Sequence, residues 1–315
     1  MISVALCTYN GEKYLRQQLD SILSQTKPVD EIVVVDDCSQ DATCSILAAY
    51  SSAHPEIRWI NNETNIGSNK NFERALKECH GDYIFFSDQD DVWDPDKVSV
   101  MVSYLKNSGM YGAFSDGRLI GQDGKELDGR TLFSSMNLLP YIEEQLIDAY
   151  ALEILCMRGN FVTGATMAIS KSAKEFLLPF LTSKYIIHDF WMALMLSGRR
   201  QLGCINRPLI SYRIHPSQQV GLVHVNPWTI DPLFNCFVAR GECRLLLPMR
   251  RLTSVPVYYG RLRSEERTRI TKTYRSLYFK NLGKGVFVRM IDVCLFVVSE
   301  LYYYLRTKIG YDKVE

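Results

Sequence analysis

Several signatures are missing from this 315-residue sequence, and each absence narrows the reading. No Gly-x-Gly-x-x-Gly follows a strand, and no Gly-rich loop ends in Lys-Ser or Lys-Thr. The usual dinucleotide and ATP readings lose their main support. No Cys-x-x-Cys pair occurs, and the nine cysteines are odd in number and scattered. That pattern fits reduced thiols in a cytosolic protein and excludes a disulfide frame or a structural zinc site. Net charge is only +1, so there is no whole-chain electrostatic case for nucleic acid. The N-terminus runs straight into Ile2-Ser3-Val4-Ala5-Leu6 without a basic region or cleavage site, so no secretory signal is expected. What is present is ordinary: 47% hydrophobic and 23% charged residues, enough for one large α/β domain with additions or for two domains.

Short apolar runs alternate with helical periodicity through the first hundred residues. Strands are expected at 2–6, 31–35, 57–60 and 83–86. Between them Tyr14, Leu15, Leu19, Ile22 and Leu23, then Ile46, Leu47 and Tyr50, then Phe72, Ala75 and Leu76 recur at helical spacing, with Asp41 as a cap for the second helix. Near-continuous apolar strands alternating with helices imply an α/β fold, a mostly parallel twisted sheet covered by helices on both faces. Further on, 113–116 and 118–120 read as strand material joined to a hairpin turn at Gln122-Asp123-Gly124. Residues 125–142 read as irregular and 143–157 as helical. Residues 161–169 read as loop then strand, and 171–178 as helix, stopped by Pro179. An apolar helix opens at Ile187-His188-Asp189, and two short strands are expected at 201–205 and 209–214.

Three of these strands end in polar loops: Thr8-Tyr9-Asn10, Asp36-Asp37, and Ser87-Asp88-Gln89-Asp90-Asp91. Ligands of open parallel sheets sit at the carboxyl ends of the strands, so the loops converge on one site. The third loop is the most telling. Folding gathers its carboxylates at a cost, because like charges a few Å apart repel. A hard divalent cation, Mg²⁺ or Mn²⁺, removes that cost, and such ions commonly bind through one or two carboxylates plus substrate phosphates. The competing reading is an acidic turn ahead of a helix that starts at Asp94-Pro95-Asp96.

Asp36-Asp37, Asp88-Gln89-Asp90 and the later His188-Asp189, taken with the opening 4–11 and with 19–26, resemble the nucleotide-sugar-dependent glycosyltransferases of family 2. The runs 81–93 and Tyr212-Arg213-Ile214-His215 look most like the bacterial rhamnosyltransferase branch. The match covers roughly residues 1–220. It implies an A-type, Rossmann-like glycosyltransferase fold, and inverting transfer from a UDP- or dTDP-linked sugar to a glycan or lipid-linked acceptor in cell-surface polysaccharide synthesis. By motif position, Tyr9 lies against the nucleobase, Asp37 bonds its edge, Asp88 contacts the ribose or the metal, Asp90 ligates the metal, His215 is a further ligand, and Asp189 is the base. Thr8, Asn10, Asp36, Lys70 and Gln89 are additional donor contacts. Gly164 and Thr166 line the acceptor side. Trp93 and Trp191 are either sugar platforms or core, and Asp189 is either a base or a helix cap. A sugar nucleotidyltransferase would need an early Gly-rich loop that 7–13 lacks, and a silent donor-binding module stays open as the non-enzyme alternative.

The expected organisation is a catalytic domain over 1–225, with a nucleotide-sugar half at 1–110 and an acceptor half at 111–225, followed by a helical region at 226–315. Residues 261–289 carry nine Lys or Arg and two Glu. The stretch 286–305 is apolar but holds Arg289, Asp292 and Glu300. Those charges disfavour a spanning helix. An interfacial helix contacting anionic lipid over 261–305, at the inner face of the cell membrane, and a helical pair packed on the catalytic domain are the two readings.

Overall fold

The computed structural model describes residues 1–136, 160–180 and 187–216, together with positions 138, 139, 142, 147, 151, 152, 155 and 218. The chain divides into two compact units. Met1–Ala151 with Phe161–His224 form the first; Leu152–Asn160 with Val225–Glu315 form the second, which lies almost wholly outside the described residues. The expected C-terminal helical region, its basic patch and its amphipathic stretch fall there. Among the described residues no helix is long and apolar enough to cross a membrane.

The apolar runs become strands where their pattern predicts. β1 (Ile2–Thr8) is buried along its whole length, as a strand covered on both faces must be. It lies between β2 (Glu31–Asp36) and β4 (Tyr83–Ser87), with β3 (Ile57–Asn61) beyond β2, and all four run parallel. Helices α1 (Leu15–Leu23), α2 (Thr43–Ala53) and α3 (Ser68–Glu78) make the crossovers. Register then does the functional work. Thr8 stands beside Asp36, and Asp36 beside Asn61, while Ser87 stands beside Leu6. The polar residues that end each strand therefore emerge along one edge of the sheet.

The second half mixes directions. β8 (Met167–Ser170) runs antiparallel between β4 and β6 (Gly112–Ile120), while β9 (Leu202–Arg213) is parallel to β6. The two-residue β5 (Val92–Trp93) pairs antiparallel with β9. The α/β class with flanking helices holds, and the sheet is mixed rather than mostly parallel. The acidic loop leaves β4 and ends at β5, and so is carried to β9. α4 (Lys97–Ser108) follows and stops at Gly109, whose φ of 70° suits a left-handed C-terminal glycine.

Two segments differ from the sequence reading. Part of 125–142 is ordered: β7 (Glu126–Thr131) pairs with β6, and Thr131 caps α5 (Leu132–Ser135) reciprocally with Ser134. β7 is mostly polar and exposed, so hydropathy gave no signal. The two strands expected at 201–214 are one. Pro208, which has no N–H to donate, interrupts the pattern, and a register shift between Ser115 and Asp116 of β6 absorbs it. The helix expected over 143–157 lies largely outside the described residues.

A short helical turn over Gly164–Thr166 precedes β8, and α6 (Lys171–Leu177) follows it. α7 (His188–Gly198) is buried at every position. Trp191 is fully buried there and donates its indole N–H to the Leu177 carbonyl at 2.9 Å, and Trp93 is 3% exposed. Both tryptophans are core, not sugar platforms. Trp191→Ala is expected to lower the unfolding free energy by about 3–5 kcal/mol in urea titrations.

Candidate active site

The loops after β1 and β4 are held by a single side chain. The Gln89 amide accepts from the Tyr9 N–H at 2.8 Å and donates to the Tyr9 carbonyl at 3.0 Å. Gly11 makes room for it, since a Cβ there would come within 2.2 Å of the Gln89 Oε1. Gln89 thus fixes the backbone that presents Tyr9, whose ring side stays exposed.

The loop after β2 is organised by both of its aspartates. Asp36, fully buried, accepts from the Thr8 hydroxyl at 2.7 Å and from the Ser39 hydroxyl and N–H at 2.6 and 2.8 Å. Asn10 is tied to the same loop: its N–H donates to the Ser39 hydroxyl and its side chain accepts from the Gln40 N–H. Asp37 is 3% exposed and accepts from the Asn62 amide and from the N–H groups of Ile66 and Gly67, all at 2.8–2.9 Å. It thereby holds the 62–67 loop against the sheet. Gly67 sits at φ 83°, which glycine adopts without cost. Lys70 is exposed in the first turn of α3.

The carboxylates converge. The Asp88 carboxyl is pushed up to about 7, first by burial, then by the charges of Asp90 and Asp189. Asp189 opens α7 nearly a hundred residues later, so the base candidate and the acidic loop share one electrostatic neighbourhood. Asp91 is 1% exposed and its carboxyl is raised too, by burial and then by Asp90 and Asp88. One Asp91 oxygen accepts from the Arg213 N–H at 2.9 Å, and the other is buried without a hydrogen-bond partner. The Tyr212 hydroxyl is also pushed up, by burial and then by Asp91, Asp88, Asp90 and Asp189.

Asp90 meets His215 directly, Oδ2 to Nε2 at 2.8 Å. His215 packs against the Tyr14 ring, with centroids 5.1 Å apart. Among the described residues no group of three or more His, Cys, Asp or Glu could hold a metal ion. A Mg²⁺ or Mn²⁺ ion needs only one or two protein carboxylates when phosphate oxygens and water complete its shell. The charges of Asp90 and Asp189, which add to burial at Asp88, are what such an ion would offset.

Asp189 is not the cap of α7: Ile187 holds that position without a side-chain capping bond, and Asp189 lies in the first turn. Its Oδ1 accepts from the Phe190 N–H at 2.5 Å, and its Oδ2 from the Gly164 N–H at 3.2 Å. His188 beside it is 7% exposed and stacks on Phe72 with centroids 4.0 Å apart. Burial alone pulls its imidazole down to about 3, so it is neutral. Gly164 is packed against it, since a Cβ there would lie 2.7 Å from Nε2.

Two buried cations were not singled out in the sequence. Arg213, 1% exposed, donates to the carbonyls of Asp90, Gly121 and Gln122 and to the Gln17 amide oxygen, and lies 4.5 Å from the Tyr14 ring centroid. A lone Arg closing an apolar strand is the signal that could have found it. Lys97, fully buried at the start of α4, left no such signal, because a lysine in a first helical turn reads as solvated.

The family described as Glycosyl transferase family 2 matches residues 3–170. The chain belongs to glycosyl transferase family 2. Among family 2 relatives, the dTDP-rhamnosyl transferase RfbG of Shigella flexneri is 30% identical over 236 residues, 69% of this chain and 73% of that protein. The putative teichuronic acid biosynthesis glycosyltransferase TuaG of Bacillus subtilis is 33% identical over 128 residues, 41% of this chain. The chain spans about half the length of TuaG. S. aureus TarS 1-349 in complex with UDP-GlcNAc superposes with a TM-score of 0.56 at 16% identity, over 87% of this chain and 72% of that one. The mannosyltransferase PcManGT from Pyrobaculum calidifontis, in complex with GDP-Man and Mn²⁺, gives 0.52 at 16% identity over 97% and 82%. These two structures share the fold of this chain, the A-type glycosyltransferase arrangement.

The raised Asp88 carboxyl has a measurable sign. A group that holds its proton more tightly folded than unfolded destabilises the fold as pH climbs from the ordinary carboxylate range through about 7. With chelator present, Asp88→Asn is expected to gain stability over the parent by more at pH 8 than at pH 5. Urea unfolding at the two pH values checks it.

Proposed function

We propose that the chain is an inverting glycosyltransferase. It takes a sugar, rhamnose-type or another hexose, from a UDP- or dTDP-linked donor to a glycan or lipid-linked acceptor in cell-surface polysaccharide synthesis. One feature supports the reading: beyond burial, the charges of both Asp90 and Asp189 raise the Asp88 carboxyl, which fits a shared site for the acidic loop and the head of α7. The names of RfbG and TuaG support the substrate class.

In this reading the Tyr9 ring packs against the nucleobase. Asp37, with three donors from its own chain, has capacity for one more from the base edge and shapes the pocket through 62–67. Thr8, Asn10, Asp36 and Gln89 hold the loops that Tyr9 and Asp37 stand on. Lys70 offers its charge to the diphosphate. Asp88, Asp90 and His215 would hold a Mg²⁺ or Mn²⁺ ion, which would offset the charge that develops on the leaving diphosphate. Asp189 accepts the proton of the incoming hydroxyl. The Gly164 N–H and its own helix turn fix the direction in which its carboxylate points. Attack from the face opposite the diphosphate inverts the anomeric centre in one displacement, with no covalent intermediate on the protein.

Residues 1–225 are taken as the catalytic domain, with the donor half at 1–110 and the acceptor half at 111–225. The 226–315 region is assigned to the inner face of the cell membrane, with 261–305 contacting anionic lipid. Two substitutions separate the roles. Asp90→Asn is expected to remove Mn²⁺-dependent donor binding in calorimetric titrations with UDP- and dTDP-sugars. Asp189→Asn is expected to keep donor affinity within a few-fold and to lower transfer by about 10²–10⁴-fold. Binding without turnover in the parent would favour the silent module. Release of pyrophosphate with a sugar phosphate would favour a nucleotidyltransferase.

A further inference from the structure

Helix α7 carries Asp189 in its first turn but brings no cap of its own. Ile187 stands at the cap position and its side chain accepts no hydrogen bond, while the N–H groups of a first helical turn have no partner within their helix. The first of these is met from another element. The His188 N–H donates to Oδ1 of Asn69 on α3 at 2.9 Å, so a residue 119 positions away caps the helix of the base. Phe72, three residues further along α3, lies on the same helix face as Asn69 and stacks on the His188 ring, with centroids 4.0 Å apart and planes 19° apart. Both nitrogens of that ring are buried without a hydrogen-bond partner, so stacking and packing hold the imidazole. The start of α3 is in turn fixed to the sheet. The Gly67 N–H bonds Asp37 at 2.9 Å, and the Asn71 amide donates to the Val35 carbonyl at 2.7 Å and accepts from Asn62 at 2.8 Å.

We propose that Asn69 is a positioning residue for the base: by capping α7 from α3, it fixes where the Asp189 carboxylate stands relative to a donor held at the loops around Asp37 and Lys70. The inference rests on the reading of Asp189 as the base given above. The Asp189 carboxylate takes its direction from the N–H groups of Phe190 and Gly164, so it moves whenever the first turn of α7 moves. Helix ends fray, and an end whose cap comes from a neighbouring helix stays in register with that neighbour. A base must come within about 2.6–3.2 Å of the proton it takes, which leaves little room for such movement. Asn69 is followed directly by Lys70, the residue read as offering its charge to the diphosphate. One anchored turn of α3 thereby sets both ends of the displacement, the leaving group through Lys70 and the base through Asn69. Asn69 acts through the backbone of α7 and not on the substrate.

The test compares three variants of the full-length protein with the parent. Asn69→Ala removes the acceptor and keeps a good helix former. Asn69→Asp keeps an acceptor oxygen in the same place. Asn69→Ala combined with Ile187→Thr caps α7 from its own chain and leaves the link to α3 broken. Turnover is read as nucleoside diphosphate released from dTDP-rhamnose and from UDP-GlcNAc. Amide hydrogen exchange of the peptide that opens α7 gives a second readout, independent of activity. Asn69→Ala is expected to speed exchange there, to leave KM for the donor near that of the parent, and to lower kcat on the order of 10²-fold, the cost of a misplacement of about 1 Å. Asn69→Asp should restore both readouts. The double variant should restore slow exchange but not kcat. The proposal is overturned if Asn69→Ala keeps the kcat or the exchange of the parent, if its loss is confined to KM, or if it no longer folds. Recovery of kcat in the double variant also overturns it, because Asn69 would then be a helix cap and nothing more. If the parent turns over neither donor, or if Asp189→Asn turns them over as fast as the parent, the reading of Asp189 as the base fails instead.

Discussion

Repulsion among carboxylates is the constraint to which this fold answers. Asp88, Asp90 and Asp91 come from one short loop, and Asp189 joins them from the head of α7. Gathered near a sheet edge and partly removed from water, they resist ionising together, and folding alone does not remove the conflict. The surrounding architecture supplies partial relief from several sides. Arg213 holds the loop backbone, and His215 pairs with Asp90. The remaining strain is what a divalent ion bound with a diphosphate would discharge.

Segments of the chain far apart in sequence carry this arrangement because the sheet is mixed. A parallel β1–β4 set alone would present three loops along one edge. β9 adds a return strand that delivers Tyr212, Arg213 and His215 to the same place, and β5 pins the far end of the acidic loop to it. The turn before β8 then reaches Asp189 through Gly164 and Lys97 through Ala165. The start of α4 and the head of α7 are thus linked through backbone contacts at a few small residues.

The first four strands and their polar ends were legible because apolar runs stop abruptly at Thr8, Asp36 and Ser87, a change that hydropathy records. β7 was not, since a polar hairpin strand is specified by pairing with β6 and not by its own composition. β9 read as two strands because Pro208 breaks the alternation, and the irregularity that absorbs it, Asn206 and Arg207 bulging between Ile205 and Pro208, shows only in the pairing with β6. Within the site, the carboxylates announced themselves by clustering. Gln89 stood out as a polar loop residue, but its work as a clamp depends on a backbone eighty positions away. Lys97 was invisible for a related reason. Its burial is a property of α4 packing over the turn at Ala165, and no neighbour in the sequence hints at it.

The Gln89 clamp has a mechanical corollary. With one amide bridging both strands of the Tyr9 peptide contact, and Gly11 yielding the space for it, the loops after β1 and β4 behave as a single rigid jaw. Neither can be lengthened or transplanted by itself without dislocating the other. Protein engineers seeking to graft a different nucleotide preference onto this scaffold would need to move the two as a matched cassette, or else confine their changes to 62–67, which is anchored separately through Asp37.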